Sequence, residues 1–268
     1  MMIAFLTHTL AQAQYYYSGA NDFYYTTPGM MGGMYSSVTL IGFGLIIITM
    51  LIGGAVQAGL KSAFARYSQE AAPLTGAQVA RRMLDQYGLQ DVQIISTPGR
   101  LTDHYNPLDR TVNLSESVYN EASVAAMAVA AHECGHAVQH AQAYPWLGLR
   151  SSLVPMVNIG SRLGQVVLFI GLALLAAGSG TTVAWIGLAL YAATTVFALV
   201  TLPVEFDASR RALAWIEQSG WASRAMHGQA GTALRWAAMT YVAAALSSLA
   251  MLLYYALIIL SRMNSNRD

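Results

Sequence analysis

Four long apolar runs constrain the fold of this chain more than any other feature of its sequence. They cover residues 38–60, 163–177, 183–204 and 236–260, and none of them contains a charged residue. A helix rises about 1.5 Å per residue, so about 20 apolar residues cross a hydrocarbon core of about 30 Å. The second run is the shortest, and it extends back toward Leu153 if Arg162 snorkels or faces other helices. The runs predict a mainly α, polytopic membrane protein with about four transmembrane helices.

The composition agrees with a membrane protein and excludes one class of partner. The chain is 55% hydrophobic and only 10% charged, whereas soluble domains carry about 25% charged residues. Its 14 Lys and Arg residues nearly balance 13 Asp and Glu residues, which is not the basic surface that nucleic acid requires. Cys134 is the only cysteine, so no intrachain disulfide can form, and a free thiol suits a reducing compartment.

Charge asymmetry predicts the topology of these spans. With four crossings, residues 61–152 and 205–235 lie on the same side, and cations such as Lys61, Arg66 and Arg211 flank the spans there. The first 37 residues contain no Lys or Arg, so the positive-inside rule places the cation-rich side in the cytoplasm. The predicted organisation is an extracytoplasmic tail (1–37), a first span (38–60), a long cytoplasmic segment (61–152), a hairpin of two spans (153–204), a second cytoplasmic segment (205–235), and a fourth span with the C-terminal tail (236–268).

The segment between the first two spans is long enough to fold in water. Thr75 has the character of an N-cap for a helix over 78–87, which Gly88 ends. Residues 91–96 and 111–114 are typical of short strands, with turn residues between them. A second helix is predicted from Ser123 to about Gln142, with Pro145 marking its stop. Together these elements predict a small α+β domain.

The second of these helices carries the sequence HECGH. His132 and His136 are four residues apart, which places both imidazoles on one face of a helix, where they can bind one metal ion. Glu133 projects about 100° away from His132 around the helix, where it can act on a metal-bound water. This H-E-x-x-H arrangement is typical of hydrolytic zinc sites, in which two histidines and one further protein ligand hold Zn²⁺.

Glu205 is the best candidate for that third ligand. It follows the third span directly, and the topology places it on the side of the HECGH helix. One alternative is that Glu205 only forms an ion pair with Arg210 or Arg211. Asp207 is the competing ligand, or a partner that orients a histidine through its free ring nitrogen.

Two further spacings limit which residues can be the third zinc ligand. His140 lies on the same helical face as His136, but its spacing matches no standard third-ligand position, which favours a surface role. Gln142, not histidine, stands ten residues after His132, which excludes the metzincin variant of the motif.

The chain resembles the neutral membrane zinc metallopeptidases of the YugP type. The resemblance covers most of the chain and is carried by LTDHYNP (101–107), VNLSESVY (112–119), AAHECGHAVQH (130–140) and LPVEFDASRRAL (202–213). More distantly, the chain is similar to the HtpX and Ste24 membrane proteases, whose third zinc ligand opens an E-x-x-x-D pattern. Glu205 takes that ligand position, but Ser209 stands where the Asp would be, with Asp207 as a candidate substitute.

The resemblance implies a zinc-dependent endopeptidase, so the small α+β domain is expected to be zincin-like. The charge asymmetry places its active site on the cytoplasmic side, and the expected membrane is the cytoplasmic membrane of a bacterium. The resemblance supplies no substrate. Because Glu205 directly follows the third span, the zinc is expected close to the membrane surface, so the expected substrates are peptide segments close to the bilayer or misfolded membrane proteins, with a role in membrane protein quality control. Tyr105 and His104 are expected to border the substrate cleft on an edge strand. His227 is a candidate donor to the oxyanion.

Two alternative functions compete with this expectation. An intramembrane protease of the site-2 type needs its motif within a span, but the uncharged run before His132 covers only residues 122–131, which is too short to cross. A non-enzymatic scaffold or chaperone with a structural zinc site normally uses four ligands rich in cysteine. Only three good ligands are present, and this pattern favours catalysis.

Overall fold

The computed structural model describes residues 37–265, which are mainly helical. The predicted N-terminal tail therefore lies outside the described residues, except for Ser37. The helices are α1 (Ser37–Tyr67), α2 (Gly76–Gln86), α3 (Glu116–Asn120), α4 (Val124–Ala141), α5 (Pro145–Ala176), α6 (Thr181–Gln218) and α7 (Arg224–Ser265). The strands are β1 (Gln93–Thr97), β2 (His104–Asn106) and β3 (Thr111–Ser115).

Helices α1, α5, α6 and α7 are long and apolar enough to cross a membrane. This confirms the prediction of four candidate spans. Each helix continues beyond its apolar run, because helical hydrogen bonding does not need to end where the apolar residues end. Pro145 was predicted to mark a stop, but it also begins α5, where the missing N–H of the first turn costs nothing.

Small residues bring α5 and α6 into close contact. A Cβ atom at Gly171 would lie 2.4 Å from the Ala184 Cα, and one at Gly187 would lie 2.3 Å from the Leu168 Cα. Such close approach of helix backbones is typical of membrane helices, which gain little from burying apolar surface against each other. The two helices therefore pack as one hairpin, as predicted, and α7 packs against both α6 and α1.

The sheet has the order β1-β3-β2. Strand β1 pairs in parallel with β3, and β2 pairs antiparallel with β3, which leaves β2 at an edge. The predicted turn is present, but it joins β2 to β3 and not β1 to β3. Residues 104–106 form the edge strand on which His104 and Tyr105 were expected. Asn106 stabilises this turn, since its side chain donates to Asp109 at 2.7 Å and accepts from the Leu108 N–H at 3.0 Å.

The signals that were predicted to begin and end the shorter helices are present. Thr75 caps α2 in a reciprocal capping box with Gln78, and Gly88 follows the helix with φ +72°. Ser123 caps α4 by accepting from the Ala126 N–H. The predicted helices over 78–87 and from Ser123 to about Gln142 are confirmed within one or two residues.

Helix α4 connects the small sheet-containing region to the long helices. It packs against α2 on one side and against α6 and α7 on the other. Cys134 is buried on the α2 side, where its Sγ lies 3.6 Å from the Ala80 carbonyl oxygen. The HECGH sequence therefore sits on the element that joins the two parts of the molecule.

Candidate metal centre

Gly135 allows α4 to approach α6 closely enough to assemble a site. A Cβ atom at this position would lie 2.6 Å from the Ala208 carbonyl oxygen and 3.1 Å from the Ala208 Cα. Any larger residue would push the two helices apart. The glycine inside the motif therefore has a packing role that brings His132 and His136 to Glu205.

The three predicted ligands converge. The Glu205 Oε2 lies 3.3 Å from the His132 Nε2 and 3.7 Å from the His136 Nε2. One ligand atom from each residue falls within 4.8 Å of the others. Donors around a tetrahedral zinc ion with bonds of about 2.0–2.1 Å are separated by about 3.3 Å. The two separations from the Glu205 Oε2 are close to this value, so the three side chains can share one zinc ion.

Glu205 provides the observation that favours a cation here. Its side chain is 2% exposed, and among residues 37–265 its Oε2 has no hydrogen-bond partner of acceptable geometry. A buried carboxylate oxygen without a partner is costly unless a cation or donor satisfies it. A metal ion held with His132 and His136 would satisfy it, so the residues present fit such an ion.

Each histidine is held on the side that faces away from Glu205. The His132 Nδ1 lies 3.2 Å from the Ser209 Oγ, and the His136 Nδ1 lies 3.0 Å from the Gln139 Oε1. Ser209 stands at the aspartate position of the E-x-x-x-D pattern, and its hydroxyl makes the contact with the imidazole here. The departure from the E-x-x-x-D pattern therefore leaves His132 with a hydrogen-bond partner.

The second oxygen of Glu205 is also held by the protein. The Arg150 Nη1 lies 3.4 Å from the Glu205 Oε1, and the Tyr241 hydroxyl interacts with the same carboxylate. Arg150 comes from α5 and Tyr241 from α7, so α6 presents Glu205 between two neighbouring helices. This arrangement leaves the Oε2 directed at the histidines.

Asp207 and the neighbouring arginines do not belong to the ligand cluster. Arg210 and Arg211 both pair with Asp207, so the alternative in which they pair with Glu205 is wrong. The Asp207 Oδ2 also accepts a hydrogen bond of 2.9 Å from the Gln139 Nε2. Asp207 therefore acts on His136 through Gln139 and is not the third member of the cluster.

Glu133 lies beside the ligand cluster and faces the edge strand. Its Oε2 accepts a hydrogen bond of 3.0 Å from the Tyr105 backbone N–H. Burial raises the pKa of Glu133 to about 7, an effect that the neighbouring His132 imidazole opposes and the negative charge of Glu205 reinforces. A carboxyl group with a pKa near neutrality can both accept and release a proton.

Three other predicted residues lie outside the cluster. His140 is exposed, and its Nδ1 lies 2.8 Å from the Tyr105 hydroxyl. The His104 Nδ1 lies 2.7 Å from the Thr102 carbonyl oxygen. His227 lies in the first turn of α7, and no hydrogen bond or ion pair within residues 37–265 joins it to the ligands.

Comparison with known proteins assigns the family. The family model described as "Putative neutral zinc metallopeptidase" matches residues 43–260, which is more than half of the chain. The chain belongs to this family. It is also 43% identical over 212 residues to the "Putative membrane protease YugP" of Bacillus subtilis (strain 168), a match that covers 78% of this chain and 92% of that protein. The resemblance inferred from the motifs is confirmed. No solved structure matches the chain significantly.

Proposed function

We propose that the protein is a zinc-dependent endopeptidase of the membrane, with His132, His136 and Glu205 as the metal ligands and Glu133 as the catalytic acid and base. The observation that carries this proposal is the buried, unpartnered Oε2 of Glu205, which lies between two imidazole nitrogens. The family to which the chain belongs supports the same conclusion.

The chemistry divides between the ion and the protein. Zinc, when bound, polarises the scissile carbonyl and makes a water molecule more acidic. Glu133 takes the proton of the attacking water and returns it to the nitrogen of the leaving amine. The hydrogen bond from the Tyr105 N–H holds the Glu133 carboxylate in place for these transfers.

Strand β2 is positioned to align a substrate. The Tyr105 N–H reaches Glu133 and therefore points away from β3. The N–H and C=O of a strand residue point to the same side, so the Tyr105 carbonyl is directed outward as well. We propose that an extended peptide adds to this edge through the outward Tyr105 carbonyl, since the Tyr105 N–H is held by Glu133. This brings the scissile bond to Glu133 and the metal.

The length of α6 indicates a site close to the bilayer. Glu205 lies 24 residues after Thr181, where α6 begins, which is about 36 Å along a helix axis. A hydrocarbon core is about 30 Å thick. If the loop between α5 and α6 lies at one membrane surface, Glu205 lies just beyond the other. This supports substrates that are membrane-proximal segments or misfolded membrane proteins, cleaved on the side that positive-inside assigns to the cytoplasm.

Proteolysis by the purified full-length protein tests this proposal. We expect zinc-loaded wild type to cleave an unfolded fluorescent casein, and Glu133→Gln to retain zinc but lose at least about 100-fold in rate, the usual contribution of general acid and base catalysis. Glu217→Gln makes the same chemical change at an exposed position of α6 and should cleave normally. Cleavage by Glu133→Gln at the wild-type rate would exclude the mechanism. Stoichiometric zinc in a wild type that cleaves no substrate would favour a structural site instead.

A further inference from the structure

We infer that Gln139 is a positioning residue that fixes His136 as the tautomer protonated at Nδ1, so that the Nε2 lone pair is directed at Glu205. This inference rests on the proposed metal site. It concerns a residue outside the HECGH motif, three positions after His136 on α4.

The surroundings of Gln139 determine which way its amide points. Gln139 is fully buried, at 0% exposure. Its Nε2 lies 2.8 Å from the Val204 carbonyl oxygen and 2.9 Å from the Asp207 Oδ2. Both neighbours are acceptors, because a carbonyl oxygen can only accept and both Asp207 oxygens already accept from Arg210 and Arg211. A flipped amide would place its oxygen against two other oxygens, so the nitrogen must face Val204 and Asp207.

The orientation of the amide then determines the state of His136. The Gln139 Oε1 lies 3.0 Å from the His136 Nδ1, and an amide oxygen can only accept a hydrogen bond. The His136 Nδ1 must therefore carry a proton. A neutral imidazole has one N–H, so its Nε2 carries the lone pair that a metal ion requires. This Nε2 is the atom that lies 3.7 Å from the Glu205 Oε2.

His132 has no equivalent constraint. Its Nδ1 lies 3.2 Å from the Ser209 Oγ, and a hydroxyl group can either donate or accept. Ser209 therefore holds the His132 ring without selecting its tautomer. The two histidines of the motif therefore differ in tautomer selection. Only the surroundings of His136 fix the tautomer whose Nε2 can bind a metal ion.

The contacts that hold the Gln139 amide nitrogen do not involve the metal ligands. Asp207 is held by two arginines, and Arg211 also donates to the Gln142 Oε1 and lies over the Tyr144 ring at 5.7 Å from its centroid. Removal of the Gln139 amide leaves Asp207 with both arginines. A substitution by methionine, which is close to glutamine in shape, should therefore fold.

Metal affinity and the protonation of the imidazole test this inference in the full-length protein. We expect Gln139→Met to weaken zinc binding by about 10–100-fold in competition with a chelator, as is usual for a residue that orients a metal ligand. In the metal-free wild type, ¹⁵N spectra of labelled histidine should show His136 protonated at Nδ1, with assignment by loss of the signal in His136→Asn. In metal-free Gln139→Met, both tautomers should be present. Gln86→Met is the matched control, because Gln86 accepts one hydrogen bond from Trp215 and lies on α2.

The outcomes separate this inference from the proposed function. Zinc affinity of Gln139→Met within twofold of wild type, or a wild-type His136 protonated at Nε2, would overturn the role of Gln139. A wild type that binds no zinc would overturn the proposed function, while the spectra would still test the tautomer. If Gln139→Met does not fold, Gln139→Asn replaces it, since the shorter amide cannot span from Asp207 to His136 and should lose the same affinity.

Discussion

Single residues decide whether the side chains of this site meet. Gly135 is one of them, because the contact between α4 and α6 leaves no room there for a larger side chain. Gly135→Ala would place a methyl group 2.6 Å from the Ala208 carbonyl oxygen, so α4 and α6 must separate. We expect a loss of about 1–3 kcal/mol in unfolding free energy and weaker zinc binding, measured by thermal unfolding and chelator competition. Gly228→Ala is the control, because a Cβ atom there meets nothing within 4 Å. Wild-type zinc affinity in Gly135→Ala would show that the close helix contact does not build the site.

Ser209 is the second residue whose role in zinc binding can be measured. Ser209→Ala removes the hydroxyl group that holds the His132 Nδ1. We expect zinc affinity to fall by about 10-fold, the lower end of the range for such partners, since a hydroxyl holds the ring less firmly than a carboxylate. Ser219→Ala should have no effect on zinc, because the Ser219 hydroxyl only donates to the Ile216 carbonyl at the end of α6. Equal affinity in both variants would contradict the role of Ser209.

The residues of the site differ in how well the sequence could predict them. The spacing of His132 and His136 and the count of spans before Glu205 were sufficient to predict that these three side chains meet. Helix periodicity and membrane topology are both regular, so they can be derived from a sequence. Gln139 could not be predicted, since a glutamine on a helix usually indicates a surface and its partner Asp207 is 68 positions away. No sequence pattern indicates that Arg150, 55 positions before Glu205, contacts its carboxylate.

At the scale of elements, the edge strand β2 depends on one carboxylate. The Asp103 Oδ1 accepts from the Ser115 N–H at 2.7 Å, and the Oδ2 accepts from the Ser115 hydroxyl at 3.1 Å. These bonds join the start of β2 to the end of β3. Asp103 therefore holds in place the strand whose Tyr105 N–H reaches Glu133.

We expect Asp103→Ala to destabilise the fold by about 1–3 kcal/mol, because the Ser115 N–H is left without its partner. The variant should keep its zinc and lose proteolytic rate, since Glu133 and the edge strand lose their alignment. Thermal unfolding, zinc content and casein cleavage measure the three effects. Asp109→Ala removes an exposed turn hydrogen bond and should change stability by less than about 0.5 kcal/mol. Loss of zinc together with activity would show that Asp103 supports the whole site and not β2.

Elements with strong periodicity were predicted more accurately than this strand. The helix that carries the motif was predicted within two residues, since its cap and its apolar pattern are local signals. Strand β2 has three residues and lies next to turn residues, so its extended conformation depends on pairing with β3. The apolar runs did not predict the ends of the long helices. The length of such a run reflects the thickness of the membrane core, whereas the helix continues into polar residues.

At the scale of the whole molecule, the proposed topology places the metal site at one membrane surface. A reporter fused after Asp268 should be active on the extracytoplasmic side, and one inserted after Glu121, before α4, on the cytoplasmic side. Alkaline phosphatase and green fluorescent protein, which work on opposite sides of a bacterial membrane, distinguish the two. A cytoplasmic signal at both positions would show that the number of crossings is wrong.

X-ray absorption at the zinc edge of the purified protein tests the central claim most directly. The ligand set of His132, His136 and Glu205 predicts nitrogen and oxygen neighbours at about 2.0–2.2 Å, with outer-shell scattering from two imidazoles. No sulfur is expected, because the only cysteine, Cys134, is buried on the α2 side of α4. Glu205→Ala should lose a protein oxygen ligand or the zinc itself. A sulfur shell at about 2.3 Å, or an unchanged spectrum in Glu205→Ala, would contradict the site described above.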